Sequence, residues 1–248
     1  MVFKFLKELA TAAKEGVDEA KAEAAAKAGE DSVSGATPPA DAVIGAVPAE
    51  EKFGVALGAQ FRSTFFADWF TLFKSSPGDD SYPVHLYTCG SYPDLADHTK
   101  SLRQLLQRDF DITDQTSCRV VLGMFFTSAG IPTTGTSLED MALSETSAGP
   151  AWDWDCEGVD ALVCSIVSHI TSAAVDVGYL DKTAALPILR TISAYARSRY
   201  HSWAEYNTAF LAGEAAVGLN NKAGRTLLTK QTRYLLEKKG SPWNNIPW

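Results

Sequence analysis

The clearest pattern along the chain is an apolar stripe at helical spacing that begins near residue 159. Apolar residues recur there at intervals of three and four, and polar or acidic residues occupy the other side. This spacing is typical of an α-helix with one buried face and one face toward water. We therefore predict a core helix after Ala151. The apolar positions are Val159, Leu162, Val163, Ile166, Val167 and Ile170.

Further segments on both sides of this stripe have the same period, and several carry helix end signals. Asp181 and Ser202 each precede such a segment and are typical N-cap residues. Ser202 and Glu205 also have the spacing of a capping box. Glycine commonly ends a helix, so we expect one helix to end near Gly218 and the last, from about Arg225, to stop at Gly240. An extended tail with two indoles then follows and covers the bundle.

Two segments before residue 90 complete the predicted domain. Phe53 to Phe73 is dense in apolar residues near helical spacing, which is typical of core. From Val84 to Cys89, the residues alternate between two faces as they do in a short strand. An extended loop is equally consistent with this pattern. The predicted fold class is mainly α: a compact multi-helix domain with at most a short strand pair.

The N-terminal segment differs in composition from this body. Residues 1–28 are rich in Ala, Lys and Glu and predict a separate amphipathic helix. Residues 29–48 are rich in Gly, Ser, Ala, Asp and Pro and predict a flexible linker. The helical domain then occupies residues 49–248. The apolar face of the first helix, expected to contact a partner or a membrane, includes Val2, Phe5, Leu6 and Leu9.

Charge and composition exclude several classes of function. The 22 Lys and Arg against 30 Asp and Glu give a net charge of −8 without a local basic stripe, which argues against nucleic-acid binding. No run approaches the roughly 18 apolar residues of a membrane span, and the N-terminus lacks a secretory pattern. We therefore expect no transmembrane segment and a cytoplasmic protein. The 4 cysteines form no C-x-x-C pair, the histidines show no metal spacing, and no cofactor is expected.

One loop resembles a phosphate-binding loop without meeting its requirements. Gly130 to Ser137 has the glycine spacing of that loop, but Thr136 stands where the lysine is needed. Pro132 removes a backbone donor, and the preceding segment has a helical pattern instead of a strand. We interpret the segment as an ordinary loop.

The acidic entry to the core helix is the candidate site for chemistry. Carboxylates there are stabilised by the helix dipole without any ligand. They are also the groups that a divalent ion or acid–base catalysis would use, with tryptophan as an apolar wall. A binding groove would form where Asp153, Trp203 and Glu214 converge. The candidate binding residues are Trp152, Asp153, Asp155, Glu157, Trp203 and Glu214.

Five motifs in order resemble the bacterial family known as domain of unknown function 1266. They are Asp109 to Asp114, Ala151-Trp152-Asp153, Gly178-Tyr179-Leu180, Ser202-Trp203 leading to Phe210 to Gly213, and Ser241-Pro242-Trp243 with Pro247-Trp248. The resemblance covers the body from about Val55 and implies a mostly helical intracellular domain without an established activity. The family pattern has arginines where this chain has Cys156 and Glu214, so an anion-binding role of those arginines does not carry over.

The sequence favours a protein-binding module without catalytic activity, either adaptor or regulatory. No strong catalytic constellation is present, and a detachable apolar-faced helix precedes the body. The first alternative is a metal-dependent hydrolase that uses Asp153, Asp155 and Glu157. The second is a protein attached to a membrane surface through the N-terminal helix.

Overall fold

The computed structural model of the chain describes residues 48–65, 86–90, 96–139, 152–218 and 222–248. The predicted N-terminal helix and all of the predicted linker except Pro48 lie outside the described residues. So do the apolar stretch beyond Phe65 and the start of the predicted strand. The described part of the chain is mainly helical, which confirms the predicted fold class.

The helices of the described ranges are numbered in chain order. Their bounds are α1 (Ala49–Ala56), α2 (Ala59–Phe65), α3 (Ala96–Phe110), α4 (Gln115–Ser128), α5 (Val159–Asp176), α6 (Lys182–Arg199), α7 (Trp203–Val217), α8 (Lys222–Glu237) and α9 (Pro242–Asn245). The described part of the predicted strand, from Leu86 to Cys89, is buried turn and loop. Of its two sequence interpretations, these residues therefore fit the loop.

The central element is α5, which α1, α2, α3, α4, α6 and α7 all contact. The predicted polar face is wrong at Ser165 and Ser168, which are as buried as the apolar stripe, whereas Glu157 is exposed and Asp160 partly exposed. The Ser168 hydroxyl donates to the Gly54 carbonyl at 2.6 Å, which satisfies it inside the protein. Small hydroxyl side chains let neighbouring helices approach closely, so α5 packs on all sides.

By length and composition, α5 also qualifies as a membrane-spanning helix within the described part of the chain. In this structure 83% of its apolar window is buried inside the protein. The central helix of a packed domain meets the same criteria for length and apolar content.

The predicted helix caps at Asp181 and Ser202 are confirmed. Asp181 Oδ1 accepts from the Ala184 N–H at 2.7 Å, and Ser202 Oγ accepts from the Glu205 N–H at 3.1 Å. Gly218 ends α7 with a φ of 69°. The last long helix is shifted toward the N-terminus, because α8 already begins at Lys222 and ends at Glu237.

The C-terminal tail closes one end of the bundle, as predicted, although part of it is helical. Ser241 accepts from the Trp243 N–H at 3.1 Å and caps α9, with Pro242 in its first turn. The Trp243 ring stacks on Trp203 with centroids 5.4 Å apart, and Trp248 meets Trp203 edge-on at 4.8 Å. We call Trp203, Trp243 and Trp248 the tryptophan cluster.

Candidate functional site

The acidic segment that precedes α5 forms turns and does not converge on a metal site. Asp153, Asp155 and Glu157 are all exposed. Asp153 Oδ1 accepts from the Asp155 N–H at 3.3 Å, so this carboxylate stabilises the turn in which it lies. Within the described ranges, no three His, Cys, Asp or Glu side chains are placed to hold a metal ion. The described residues therefore give the hydrolase hypothesis no metal site.

Trp152 belongs to the core and does not form a wall beside these carboxylates. Its side chain is buried, and its ring lies 5.8 Å from Phe125 and 5.3 Å from Trp154, measured between centroids. The indole N–H is buried and finds no acceptor among the residues that the structure describes.

Trp203 and Glu214 do not meet, because they lie near opposite ends of α7. Eleven residues at a rise of 1.5 Å place them about 16 Å apart along the helix axis. Trp203 belongs to the tryptophan cluster, and its N–H donates to the Ile246 carbonyl at 2.7 Å. Glu214 is buried, with Oε2 3.1 Å from Nε of Arg225 on α8. Both residues therefore stabilise helix packing, and the predicted convergence with Asp153 does not form.

The carboxylate of Asp160, the next acidic residue, joins α5 to α6. Tyr195 donates its hydroxyl to Asp160 Oδ1 at 2.9 Å, and Arg199 Nε lies 3.5 Å from Oδ2. Burial and the neighbouring carboxylate raise the pKa of Tyr195 to about 12. Sequence reasoning missed this contact because its only local signal was the spacing of Tyr195 and Arg199 on one helix face.

The loop from Gly130 to Ser137 follows α4, so it lacks the strand that a phosphate-binding loop requires. Gly130 and Gly135 have positive φ values of 64° and 73°, which suits tight turns. Arg119 donates to the Ser137 carbonyl and holds the loop against α4.

The buried thiols and the buried imidazole are poorly suited to catalysis. Burial raises the pKa of Cys89 and of Cys118 to about 12 and also raises that of Cys164. The pKa of His169 is lowered to about 3, first by burial and then by the Arg62 charge. A nucleophilic thiolate needs a lowered pKa, and a general base needs one near the working pH.

Sequence reasoning also missed a network of buried charges. Arg62 is 0% exposed, and its Nη2 lies 2.9 Å from Asp176 Oδ2. The other oxygen of Asp176 accepts from the Gly90 N–H at 2.6 Å. Glu51, also buried, accepts from Lys182 Nζ at 3.0 Å and from the Cys89 N–H at 3.3 Å. These bonds hold the 86–90 loop against α1, α2, α5 and α6, so we interpret the network as structural.

An open groove of about 570 Å³ lies between α3 and the turn that joins α5 to α6. Among the described residues, its lining is polar or aromatic and includes two cations but no acidic side chain: Thr99, Lys100, Arg103, Gln104, Gln107, Thr113 and Tyr179. Arg103 Nη2 donates to the Val177 carbonyl at 2.7 Å, which fixes the guanidinium at the edge of the turn. We call this feature the α3 groove. Its only signal in the sequence was the helical spacing of the polar residues Lys100, Arg103, Gln104 and Gln107.

Comparison with known protein families gives a match to the C-terminal part of the chain. Residues 155–248 match the family described as "Protein of unknown function (DUF1266)". No curated protein and no solved structure significantly matches the chain. The matched range includes the tryptophan cluster and Gly213, whose position against Gly158 leaves no room for a side chain. Over residues 155–248, the chain is therefore similar to the DUF1266 family.

Proposed function

We propose that this protein is a cytoplasmic protein-binding module and that the α3 groove is part of its contact surface. The observation that supports this proposal is the described part of the groove's lining, which presents Lys100, Arg103 and two glutamine amides and no acidic side chain. A concave surface with a few convergent polar groups is a common form of binding site. Lys100 and Gln104 are exposed, and their side chains make no polar contact with the other described residues.

The state of the reactive groups favours binding over catalysis. Three of the four thiols and His169 are buried, with pKa values displaced away from neutrality. Trp203 and Glu214 are engaged in packing, and the carboxylates before α5 point to no metal site in the described ranges. The groups available on the α3 groove are suited to recognition.

Quantitative co-purification from the native host tests the proposal. Three full-length proteins are compared: the wild type, a groove variant with Lys100→Glu and Gln104→Glu, and a control with Lys222→Glu and Ala204→Glu. Both variants lower the charge by the same amount at exposed positions, and only the first alters the groove. We expect partner proteins that the wild type and the control retain and that the groove variant loses at least fivefold. Equal recovery with all three proteins would contradict the proposal.

The predicted N-terminal helix supplies a second, tethered contact in this proposal. Its predicted apolar face contains Val2, Phe5, Leu6 and Leu9, and an amphipathic helix can lay such a face into a partner's groove. In the full chain, Phe5→Glu with Leu9→Glu is expected to weaken partner recovery, whereas Thr11→Glu with Ala22→Glu, on the opposite face, is not. Equal recovery of partner proteins with both pairs of substitutions would rule out the tethered contact and would leave the proposed contact at the α3 groove unaffected.

A further inference from the structure

We propose that the α3 groove binds an acidic peptide segment of the partner protein, an inference that rests on the proposed function and specifies its chemistry. The chain as a whole carries a net charge of −8, yet the described residues that line the groove include two cations and no anion. A local charge opposite in sign to the rest of the surface selects ligands by charge and accelerates their encounter.

The Arg103 guanidinium is oriented by two contacts and retains donors that can bind a carboxylate. One of its N–H groups donates to the Val177 carbonyl at 2.7 Å, and the guanidinium carbon lies 5.9 Å from the centre of the Tyr179 ring. An arginine carries five N–H donors in a planar fork that matches a carboxylate. Because Val177 takes only part of this fork, the remaining donors are available without loss of the contact that orients the side chain.

Lys100 and Gln104 extend the site along α3. Residues three or four apart on a helix have Cβ atoms about 5–6 Å apart, so Lys100 neighbours both Arg103 and Gln104. Side chains two apart on an extended peptide point the same way and are separated by about 7 Å. Two acidic residues at alternate positions of an extended segment therefore match Lys100 and Arg103. The groove volume of about 570 Å³ suits a few side chains.

Acidic residues near the groove set the position of the segment. Asp111 and Asp181 are exposed, and each lies two residues from a lining residue, Thr113 and Tyr179 respectively. Asp181 already accepts from the Ala184 N–H at the start of α6. Both carboxylates repel an acidic ligand, so its charged part is confined to the end of the groove formed by Lys100 and Arg103.

Fluorescence anisotropy with the full-length protein tests this inference. The probe is a fluorescein-labelled hexaglutamate peptide with blocked ends, and hexaglutamine with the same label is the neutral control. We expect saturable binding of hexaglutamate alone, weakened as sodium chloride is raised because exposed charges are screened. The Lys100→Glu, Gln104→Glu variant is expected to lose at least tenfold in affinity, and the Lys222→Glu, Ala204→Glu control less than twofold.

Each other outcome overturns the inference. Absence of hexaglutamate binding, equal binding of hexaglutamine, or equal loss in the two variants would each do so. Binding of inorganic phosphate that the Lys100→Glu, Gln104→Glu variant loses, without any binding of hexaglutamate, would assign the groove to a small anion instead. The proposed function fails separately, through partner recovery that does not depend on the groove. If recovery of partner proteins depends on the groove but hexaglutamate does not bind, the proposal of protein binding is retained and the proposal of an acidic ligand is rejected.

Discussion

At the residue scale, the least expected feature is an arginine with no exposure to water. Arg62 is paired with Asp176, and their side chains are 0% and 3% exposed. Burial of two charges is offset only when their geometry is good and their remaining hydrogen-bonding groups are satisfied. Asp176 meets this requirement through Gly90 as well as Arg62. The pair thus fixes the end of α5 against α2 and the 86–90 loop.

Removing one partner of this pair is expected to destabilise the protein strongly. Asp176→Asn removes the carboxylate charge that lies 2.9 Å from the buried Arg62 guanidinium, which costs about 3–5 kcal/mol of unfolding free energy. The control is Asp181→Asn, which removes the same charge at an exposed N-cap where asparagine caps equally well. Urea unfolding monitored by circular dichroism measures both. A loss below about 1 kcal/mol for Asp176→Asn would show that the pair is not the constraint we infer.

His169 is expected to make the folded state sensitive to mild acid. The pKa of the folded-state side chain is about 3, against 6.5 for an ordinary histidine. Below pH 6.5 the unfolded chain therefore binds a proton that the folded chain does not, and stability falls as the pH falls. Between pH 6.5 and pH 5 the loss is about 2 kcal/mol at 1.4 kcal/mol per pH unit.

Comparison with His169→Gln isolates this contribution, because the other titrating groups are unchanged. Urea unfolding at pH 7 and pH 5 should show a smaller loss of stability in the variant than in the wild type. If both proteins lose the same amount of stability, His169 is not the group responsible.

At the element scale, a close contact between two glycines fixes α5 against α7. Gly158 precedes α5 with a φ of 83°, and Gly213 lies on α7. A Cβ built on Gly213 would lie 2.3 Å from the Gly158 carbonyl oxygen, and one built on Gly158 would lie 2.0 Å from the Ala209 carbonyl oxygen. The helices approach at this point through backbone alone.

Gly213→Ala is therefore expected to be more damaging than a glycine substitution that only introduces backbone strain. Alanine normally stabilises a helix interior by about 0.5–1 kcal/mol relative to glycine, so a net loss above about 2 kcal/mol measures the forced separation of α5 and α7. The control is Gly218→Ala, where φ is 69° and the space is open; it should cost only about 1–2 kcal/mol. Thermal and urea unfolding measure both variants, and a stabilised Gly213→Ala would contradict the close contact.

Some features of the elements could be predicted from the sequence, and others could not. Helix caps such as Asp181 and Ser202 depend on residues three apart, so local reasoning found them. The polar face assigned to α5 was wrong because Ser165 and Ser168 look exposed in a pattern, although neighbouring backbone satisfies Ser168. Arg62 and Asp176 are 114 residues apart in sequence. The α3 groove likewise combines a helix face with a distant turn, and neither contact leaves a local signal.

At the scale of the whole molecule, the C-terminal tail joins elements from both ends of the described chain. The Trp243 N–H donates to the Ala56 carbonyl at the end of α1 at 2.8 Å. The Trp248 N–H donates to the Tyr200 carbonyl after α6 at 2.7 Å. The tail therefore packs against α1 and α7 and completes the core at that end of the bundle.

Trp243→Ala is expected to destabilise the whole domain by about 3–5 kcal/mol, because it removes a large buried ring and leaves the Ala56 carbonyl without its donor. Trp154→Ala is the matched control, since Trp154 is only partly buried and lies outside the tryptophan cluster. Urea unfolding should place the control much closer to the wild type. Equal losses would mean that the tail is not a specific part of the core.

The central claim is that the α3 groove is a surface for protein recognition, and site-specific photo-crosslinking in the native host tests it most directly. Benzoylphenylalanine replaces Gln104 in one full-length protein and Ala204, which is also exposed, in another. We predict defined protein adducts from position 104 that Lys100→Glu abolishes, and none of those adducts from position 204. The same adducts from both positions, or adducts from position 104 that persist with Lys100→Glu, would contradict the account.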